Sequence, residues 1–144
     1  MLNPKIVEIT LEGNVPSKKN SRVTLPTGVS VANNKFVQWQ NDALKQVRTQ
    51  TRERFLGVIQ IELIIYFATL GRADTDNKVT SILDMLTESL VLKDDYWESV
   101  ARTVYEAAYR PRKAGAFIRI TELPHDFLGE EYLAAAAKRD RKKR

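Results

Sequence analysis

Residues 58–92 read VIQIELIIYFATLGRADTDNKVTSILDMLTESLVL, and their first eleven positions carry the pattern of a buried strand. Alternate residues over Ile59–Phe67 are apolar and mostly β-favouring, as a strand with one face in a core requires. The opposite face still carries Ile64 and Tyr66, so both faces are expected to be partly covered. This pattern predicts a central strand of a sheet.

The remainder of the stretch predicts a turn followed by an amphipathic helix. The turn contains Gly71, and Asp76 is placed to cap the N-terminus of the helix. Apolar side chains then recur on one stripe: Val79, Ile82, Leu83, Leu86 and Leu90. The pattern ends near Leu92. A strand that leads into such a helix indicates a helix layer on a sheet.

The flanking sequence supplies the other elements of a small domain. Periodicity predicts a strand over 5–12, a helix over 35–54, strands over 100–109 and 116–123, and a helix-prone segment over 126–137. Glycine, proline and polar residues predict a long loop over 13–30. The last two strands are expected to pair as a hairpin around a basic turn. The predicted fold class is α+β, a single domain with a mixed sheet of about four strands and helices packed on it.

Composition narrows the possible chemistry. With 144 residues, the chain has room for one domain with its own core and not for two. It has no cysteine and a single histidine, His125, which excludes disulfides, zinc fingers and thiol nucleophiles, so any metal must be held by oxygen. No apolar run approaches the roughly 20 residues of a membrane span, and no signal-peptide pattern is present. We therefore expect a cytoplasmic protein.

Charge is distributed unevenly along the chain. Residues 73–106 hold 8 acidic and 3 basic side chains, residues 1–72 hold 10 basic and 5 acidic ones, and residues 138–144 hold 6 basic and 1 acidic. An acidic block between basic flanks repels nucleic acid unless cations occupy it, whereas the flanks attract phosphate. This pattern suits a metal-dependent nuclease. Its structural alternative is a solvated acidic helix face with a basic tail that frays because nothing anchors it to a core.

Two pairs of aspartates flank the predicted helix. Asp74 and Asp76 lie two residues apart after the central strand, so they point to the same side if the chain is extended. Asp94 and Asp95 follow the helix, and an antiparallel return would bring them to the same sheet edge or to that of a neighbouring subunit. Mg²⁺ would relieve the repulsion among three such carboxylates and would activate water against a phosphodiester. The alternative is that these aspartates cap helices and occupy turns.

Three short segments of the chain carry a more specific pattern when they are read together. They are PSKKN at 16–20, DTDN at 74–77 followed by Asp84, and LKDD at 92–95. Together they resemble the RusA family of Holliday-junction resolvases over roughly residues 7–122. We therefore divide the chain into a RusA-like nuclease domain at 1–124 and a C-terminal helix with a basic tail at 125–144.

The resemblance implies an activity and a set of partners. It implies a homodimer that binds four-way DNA junctions and nicks them symmetrically with Mg²⁺ at each active site, in recombination or replication. The setting would be the cytoplasm of a bacterial or phage-infected cell. By motif match, Asp74, Asp76 and Asp95 would be the catalytic, metal-binding carboxylates, and Asp84 would be a supporting acid. The expected DNA-backbone contacts are Lys18, Lys19, Arg22, Arg72 and Lys78, with a further basic group at Arg110, Arg112 and Lys113.

One position departs from the family pattern. A lysine commonly stands four residues after the second aspartate, and this chain has Thr80 there. Such a cation holds the scissile phosphate or stabilises charge in the transition state, and either Lys78 or Lys93 is the expected substitute. On a helix, a displacement of two residues is a rotation of about 200°, so Lys78 fits only if the helix begins later than Asp76. The alternative function is a junction- or DNA-binding protein that kept the fold and lost cleavage.

Overall fold

Four long strands, two short strands and three helices make up the part of the chain that the computed structural model describes, namely residues 3–17, 22–32, 34–71 and 73–143. The strands are β1 (Ile6–Glu12), β2 (Arg22–Thr24), β3 (Ser30–Ala32), β4 (Ile59–Phe67), β5 (Val100–Tyr109) and β6 (Gly115–Glu122). The helices are α1 (Asn34–Gln50), α2 (Thr75–Glu88) and α3 (Glu130–Lys142). None of these helices is both long enough and apolar enough to span a bilayer. The α+β prediction is confirmed.

The main sheet is mixed and has the strand order β1-β6-β4-β5. β4 runs parallel to β5 and antiparallel to β6, and β6 runs antiparallel to β1. The predicted central strand is therefore confirmed as β4. Because β4 and β5 are parallel, they end together at Phe67 and Tyr109, which we call the carboxyl end of the sheet. They begin together at Ile59 and Val100, which we call the amino end.

One face of the sheet carries the core. Ile9 lies opposite Ile118, and Ile118 lies opposite Leu63, in one row across three strands. α1 and α2 cover this face with their apolar stripes, whose buried members are Phe36, Ala43, Val47, Val79, Ile82, Met85 and Leu86. Full burial of one such large apolar side chain contributes about 1.5–3 kcal/mol. This packing holds α2 across the sheet with its N-terminus at the carboxyl end.

The outer edge of β1 is closed by two glutamines of α1. The main-chain N–H groups of Thr10 and Glu12 donate to Oε1 of Gln50 and Gln46 at 2.8 and 2.7 Å. The same glutamines donate from Nε2 to the carbonyls of Thr10 and Glu12 at 2.7 and 3.2 Å. These side chains satisfy the main-chain groups of Thr10 and Glu12 as a further strand would, which leaves this half of the β1 edge poorly suited to pairing with another chain.

The other edge of the sheet is open. β5 has β4 on one side and, among the described residues, no strand on the other. Several of its large apolar side chains are exposed: Val104, Tyr105 and Tyr109. An edge strand of this kind is a template for pairing with another chain.

The last two long strands do not form the predicted hairpin. β5 and β6 lie on either side of β4, and the connection at 110–114 crosses the end of β4, where the N–H of Arg110 donates to the carbonyl of Phe67 at 2.9 Å. The prediction was wrong because alternation identifies a strand but not its partner. β4 is apolar along one face and carries Ile64 and Tyr66 on the other, and it takes the interior position between them.

Two segments predicted to be irregular contain regular structure. Within the expected loop at 13–30, β2 begins a short antiparallel pair with β3. The basic tail is helical as far as Lys142, and Tyr132 and Arg139 of α3 both donate hydrogen bonds to Glu98. The prediction that nothing anchors the tail was wrong, because the anchoring acid lies more than thirty residues upstream.

Candidate functional site

Asp74 and Asp76 lie at the carboxyl end of the sheet, where the chain leaves β4 and enters α2. Both are exposed. Asp74 occupies the N-cap position with an extended backbone, yet its side chain makes no capping hydrogen bond. α2 therefore begins earlier than predicted, and Asp76 lies in its first turn instead of capping it. A carboxylate in a first turn is favoured by the helix dipole, whereas the Asp74 carboxylate is not used by the helix end.

Asn77 links the two carboxylates. Its side-chain Nδ2 donates to Asp74 Oδ2 at 3.4 Å, and its main-chain N–H donates to Asp76 Oδ1 at 3.0 Å. Asp74 Oδ1 and Asp76 Oδ2 take no part in these two bonds. The pair can therefore present oxygen atoms to a cation without first breaking the contacts of Asn77.

A cleft of about 610 Å³ opens beside this pair. Its walls come from the end of β4 and the turn at 67–71, from the end of β5 at 107–109, and from Thr75 in the first turn of α2. The aromatic side chains of Phe67 and Tyr109 line it together with Lys78.

Lys78 fastens the end of the β1 segment to α2. The residue is only 6% exposed, and its Nζ donates to the main-chain carbonyl of Val15 and, at 3.4 Å, to Oδ1 of Asn14. One turn further along α2, Ser81 Oγ donates to the carbonyl of Pro16 at 2.7 Å. Burial lowers the pKa of Lys78. The lysine predicted to contact DNA is thus bonded to the two residues that directly precede the PSKKN segment.

No shift of the helix brings a lysine to the position of Thr80, where RusA-like resolvases commonly have one. Thr80 is exposed, and its Oγ1 donates to the carbonyl of Asp76 at 3.3 Å. α2 starts at Thr75, so the later start that would bring Lys78 to this position does not occur. Lys93 is exposed and follows the far end of α2.

Asp95 lies at the opposite, amino end of the sheet. α2 has 14 residues, so it carries the chain about 21 Å away from its N-terminus. Beyond it, Leu92 forms a parallel bridge with Phe55, just before β4 begins, and the chain then enters β5 at Val100. The sequence analysis considered an antiparallel return of the chain that would bring Asp94 and Asp95 to the same sheet edge as Asp74. This return does not occur within the chain, because β5 runs parallel to β4.

The expected pocket of three carboxylates is therefore not formed within one chain. In the part of the chain that the structure describes, which includes all three aspartates, no three acidic or histidine side chains come together in a group able to hold a metal ion. The donor set of one chain thus does not fit a three-carboxylate Mg²⁺ site.

The turn around Asp95 distinguishes the two neighbouring aspartates. Asp94 is half-buried and accepts a hydrogen bond from the side chain of Tyr96, which raises the pKa of Tyr96. Asp95 is exposed. The main-chain N–H groups of Ser99 and Val100 donate to the carbonyl of Tyr96 at 3.0 and 2.9 Å, which closes the turn. These contacts favour Asp95 over Asp94 as the carboxylate that meets a ligand.

The structure describes some of the other predicted site residues and leaves others outside the described ranges. Asp84 is half-buried near the middle of α2. Arg110 donates from Nε to the carbonyl of Lys113 at 2.8 Å and lies over the ring of Tyr66 at 3.7 Å, while Arg112 is exposed in the same turn. Lys18, Lys19 and Arg72 lie outside the described residues, and only the backbone of Arg22 is described.

Sequence reasoning missed the contact between Glu98 and α3. Tyr132 and Arg139 are seven residues apart, which is about two helical turns, so they share one face of α3. That spacing was visible in the sequence, but nothing in it pointed to Glu98.

Comparison with protein-family models and with curated proteins found no match to this chain.

Proposed function

We propose that the chain is a Mg²⁺-dependent, structure-selective endonuclease that resolves four-way DNA junctions by symmetric nicking. The observation that carries this proposal is the Asp74–Asp76 pair: both carboxylates are exposed, they stand beside a cleft, and the one at the N-cap position does not cap its helix. The resemblance of the DTDN, LKDD and PSKKN segments to RusA-like resolvases supports the same activity. The basic segments on either side of the acidic block would attract the DNA backbone.

The proposed enzyme is a homodimer, because one chain does not complete the acidic site. Of the two sheet edges, β1 is closed by glutamines and β5 is open. Antiparallel pairing of β5 with the β5 of a second copy would bring the partner's Asp95 to the carboxyl end of the first sheet, beside Asp74 and Asp76. The two-fold axis would create two equal sites, as symmetric nicking of a junction requires.

In this dimer, Asp74, Asp76 and the partner's Asp95 would hold the ion. Mg²⁺ bound there would supply charge stabilisation and an activated water to phosphodiester hydrolysis. The chain's own contribution is to orient the strand. Lys78 and Ser81 hold the segment that leads into PSKKN against α2, next to the acidic pair. The lysines of that segment would then contact the DNA backbone close to the bond that is cut.

Asp76→Asn tests the activity directly. We expect this variant to lose Mg²⁺-dependent nicking of a four-way junction by at least about 100-fold, because a neutral amide is a poor ligand for Mg²⁺. Junction binding in Ca²⁺ should be retained. Asp126→Asn is the matched control, since Asp126 is also exposed but lies in the turn before α3. Nicking by Asp76→Asn at the rate of the control would contradict the proposal.

The second candidate is a junction-binding protein that does not cut. Thr80 at the position of the family lysine favours it, because a cation expected near the phosphate is missing. A wild-type chain that binds four-way junctions in preference to linear duplex, but never nicks them with Mg²⁺ or Mn²⁺, would establish this function and exclude the endonuclease.

A further inference from the structure

We propose that helix α3 positions the turn that carries Asp95, and that it does so through Glu98. We call residues 94–99 the Asp95 turn. The effect on cleavage rests on the proposed function, whereas the effect on the turn itself rests on the contacts alone. Glu98 is a positioning residue in this proposal, since it acts on the turn and touches no substrate.

Three contacts converge on the end of the Asp95 turn. Glu98 Oε1 accepts a hydrogen bond from the hydroxyl of Tyr132 at 2.7 Å and another from Nη1 of Arg139 at 2.8 Å. The neighbouring Trp97 packs edge-on against the ring of Tyr132, with 5.5 Å between ring centroids. Because both donors lie on one face of α3, they can donate hydrogen bonds to the same carboxylate together.

The protonation behaviour of these groups agrees with the geometry. The hydrogen bonds from Tyr132 and then from Arg139 lower the pKa of Glu98. The same contact with Glu98 raises the pKa of Tyr132 and of Arg139. Each shift favours the form that makes the contact, namely an ionised Glu98 with protonated donors. Charge-assisted bonds of this kind are stronger than neutral ones.

The Asp95 turn depends on α3 because its other attachments are few. At its start, Leu92 is bridged to Phe55. At its end, the carbonyl of Ser99 accepts a hydrogen bond from the N–H of Ile59 at 2.9 Å, and the chain then enters β5, the edge strand. α3 itself has no fully buried residue, and the side-chain hydrogen bonds and ring contact that join it to the rest of the described chain are those with Glu98 and Trp97. Loss of these contacts would free both the helix and the turn, and Asp95 lies within that turn.

Hydrogen exchange measures this coupling without any assumption about activity. In the full chain, Arg139→Gln and Tyr132→Phe each remove one donor to Glu98, and Arg139→Lys retains a cation. Arg141→Gln is the matched control, because it removes the same charge from the same helix and leaves the two bonds to Glu98 in place. We expect amide exchange in the Asp95 turn to be about tenfold faster in the first two variants. Exchange in β4 should be unchanged.

The control and the conservative variant decide the result. Arg141→Gln should exchange like the wild type, and Arg139→Lys should recover part of the protection. Unchanged exchange in both Arg139→Gln and Tyr132→Phe would overturn the proposal. Equal acceleration in Arg139→Gln and Arg141→Gln would also overturn it, because general loss of positive charge would then be the cause.

Steady-state nicking of a four-way junction tests the consequence for the site. We expect Arg139→Gln to lower kcat several-fold more than Arg141→Gln does, with KM for the junction equal in the two variants. Equal kcat values would overturn the link between α3 and Asp95. If the wild type does not nick at all, the proposed function fails, and the exchange experiment still decides whether α3 positions the turn.

Discussion

Lys78 is a residue whose environment can be tested by one substitution. Replacing it by methionine keeps much of its volume and removes the donor to the carbonyl of Val15 and to Asn14. Leaving the buried carbonyl of Val15 without a donor costs free energy. In the native protein, however, burial of the ammonium group also costs free energy and lowers the pKa of Lys78, so the net loss on substitution is smaller. We therefore expect Lys78→Met to lower the free energy of unfolding by about 1–2 kcal/mol in urea titrations.

Lys93→Met is the control for this prediction. Lys93 is exposed, and a surface substitution of this kind changes stability by less than about 0.5 kcal/mol. A Lys78→Met protein that is as stable as Lys93→Met would mean that the ammonium group does not fasten the segment at 14–17 to α2.

Individual residues differ in how well the sequence could predict them. Asp74 and Asp76 were placed correctly beside the end of the central strand, because they follow it directly in the chain. The burial of Lys78 was not predicted, since lysines on helices are usually exposed. Its spacing of four and seven residues from Ile82 and Met85 puts it in the buried stripe, and this signal could have found it.

Secondary-structure elements were predicted far better than their pairing. The periodicity of β4 and α2 is local, so each was recognisable, although α2 ends at Glu88 because the chain turns at Leu90, which has a positive φ of 68°. The separation of β5 from β6 by β4 depends on contacts between distant segments. The position of Asp95 follows from that pairing, so the sequence could not place it.

The docking of α3 should depend on pH. Because the pKa of Glu98 is lowered in the folded chain, docking is fully present above the ordinary value of 4.5 and is lost as the pH falls below it, through the folded pKa. The groups that act on Glu98 are Tyr132, Arg139 and Lys143 of the α3 segment. Fluorescence of Trp97 in a Trp39→Phe background should report this loss as the pH falls below 4.5.

Glu98→Gln provides the control for this transition. The amide cannot titrate, so the variant should lack the transition in Trp97 fluorescence over the same range. Far-UV circular dichroism of both proteins separates undocking from global acid unfolding. A transition of the same midpoint and size in Glu98→Gln would show that another carboxylate controls the helix.

At the scale of the whole molecule, the sheet has one closed and one open edge. This asymmetry means that pairing of the main sheet through β5 ends at two copies, because among the described strands of that sheet each copy then presents only β1, whose edge is partly closed by glutamines. In the proposed dimer, Asp95 lies far from Asp74 and Asp76 of its own chain because each site takes its aspartates from two chains. The sequence carried the acidic residues of such a site but not the number of chains needed to assemble it.

Subunit mixing distinguishes a shared site from a site within one chain. Asp76→Asn and Asp95→Asn are each expected to be inactive alone. In their mixed dimer, a shared arrangement puts both substitutions in one site and leaves the other site intact. Random exchange should therefore restore about one quarter of the wild-type nicking sites, because about half of the dimers are mixed and each has one good site of two.

If every site came from a single chain, each site of the mixed dimer would carry one substitution, and mixing would restore nothing. Nicks at one strand without the paired cut on the opposite strand would identify the restored site as the single intact one.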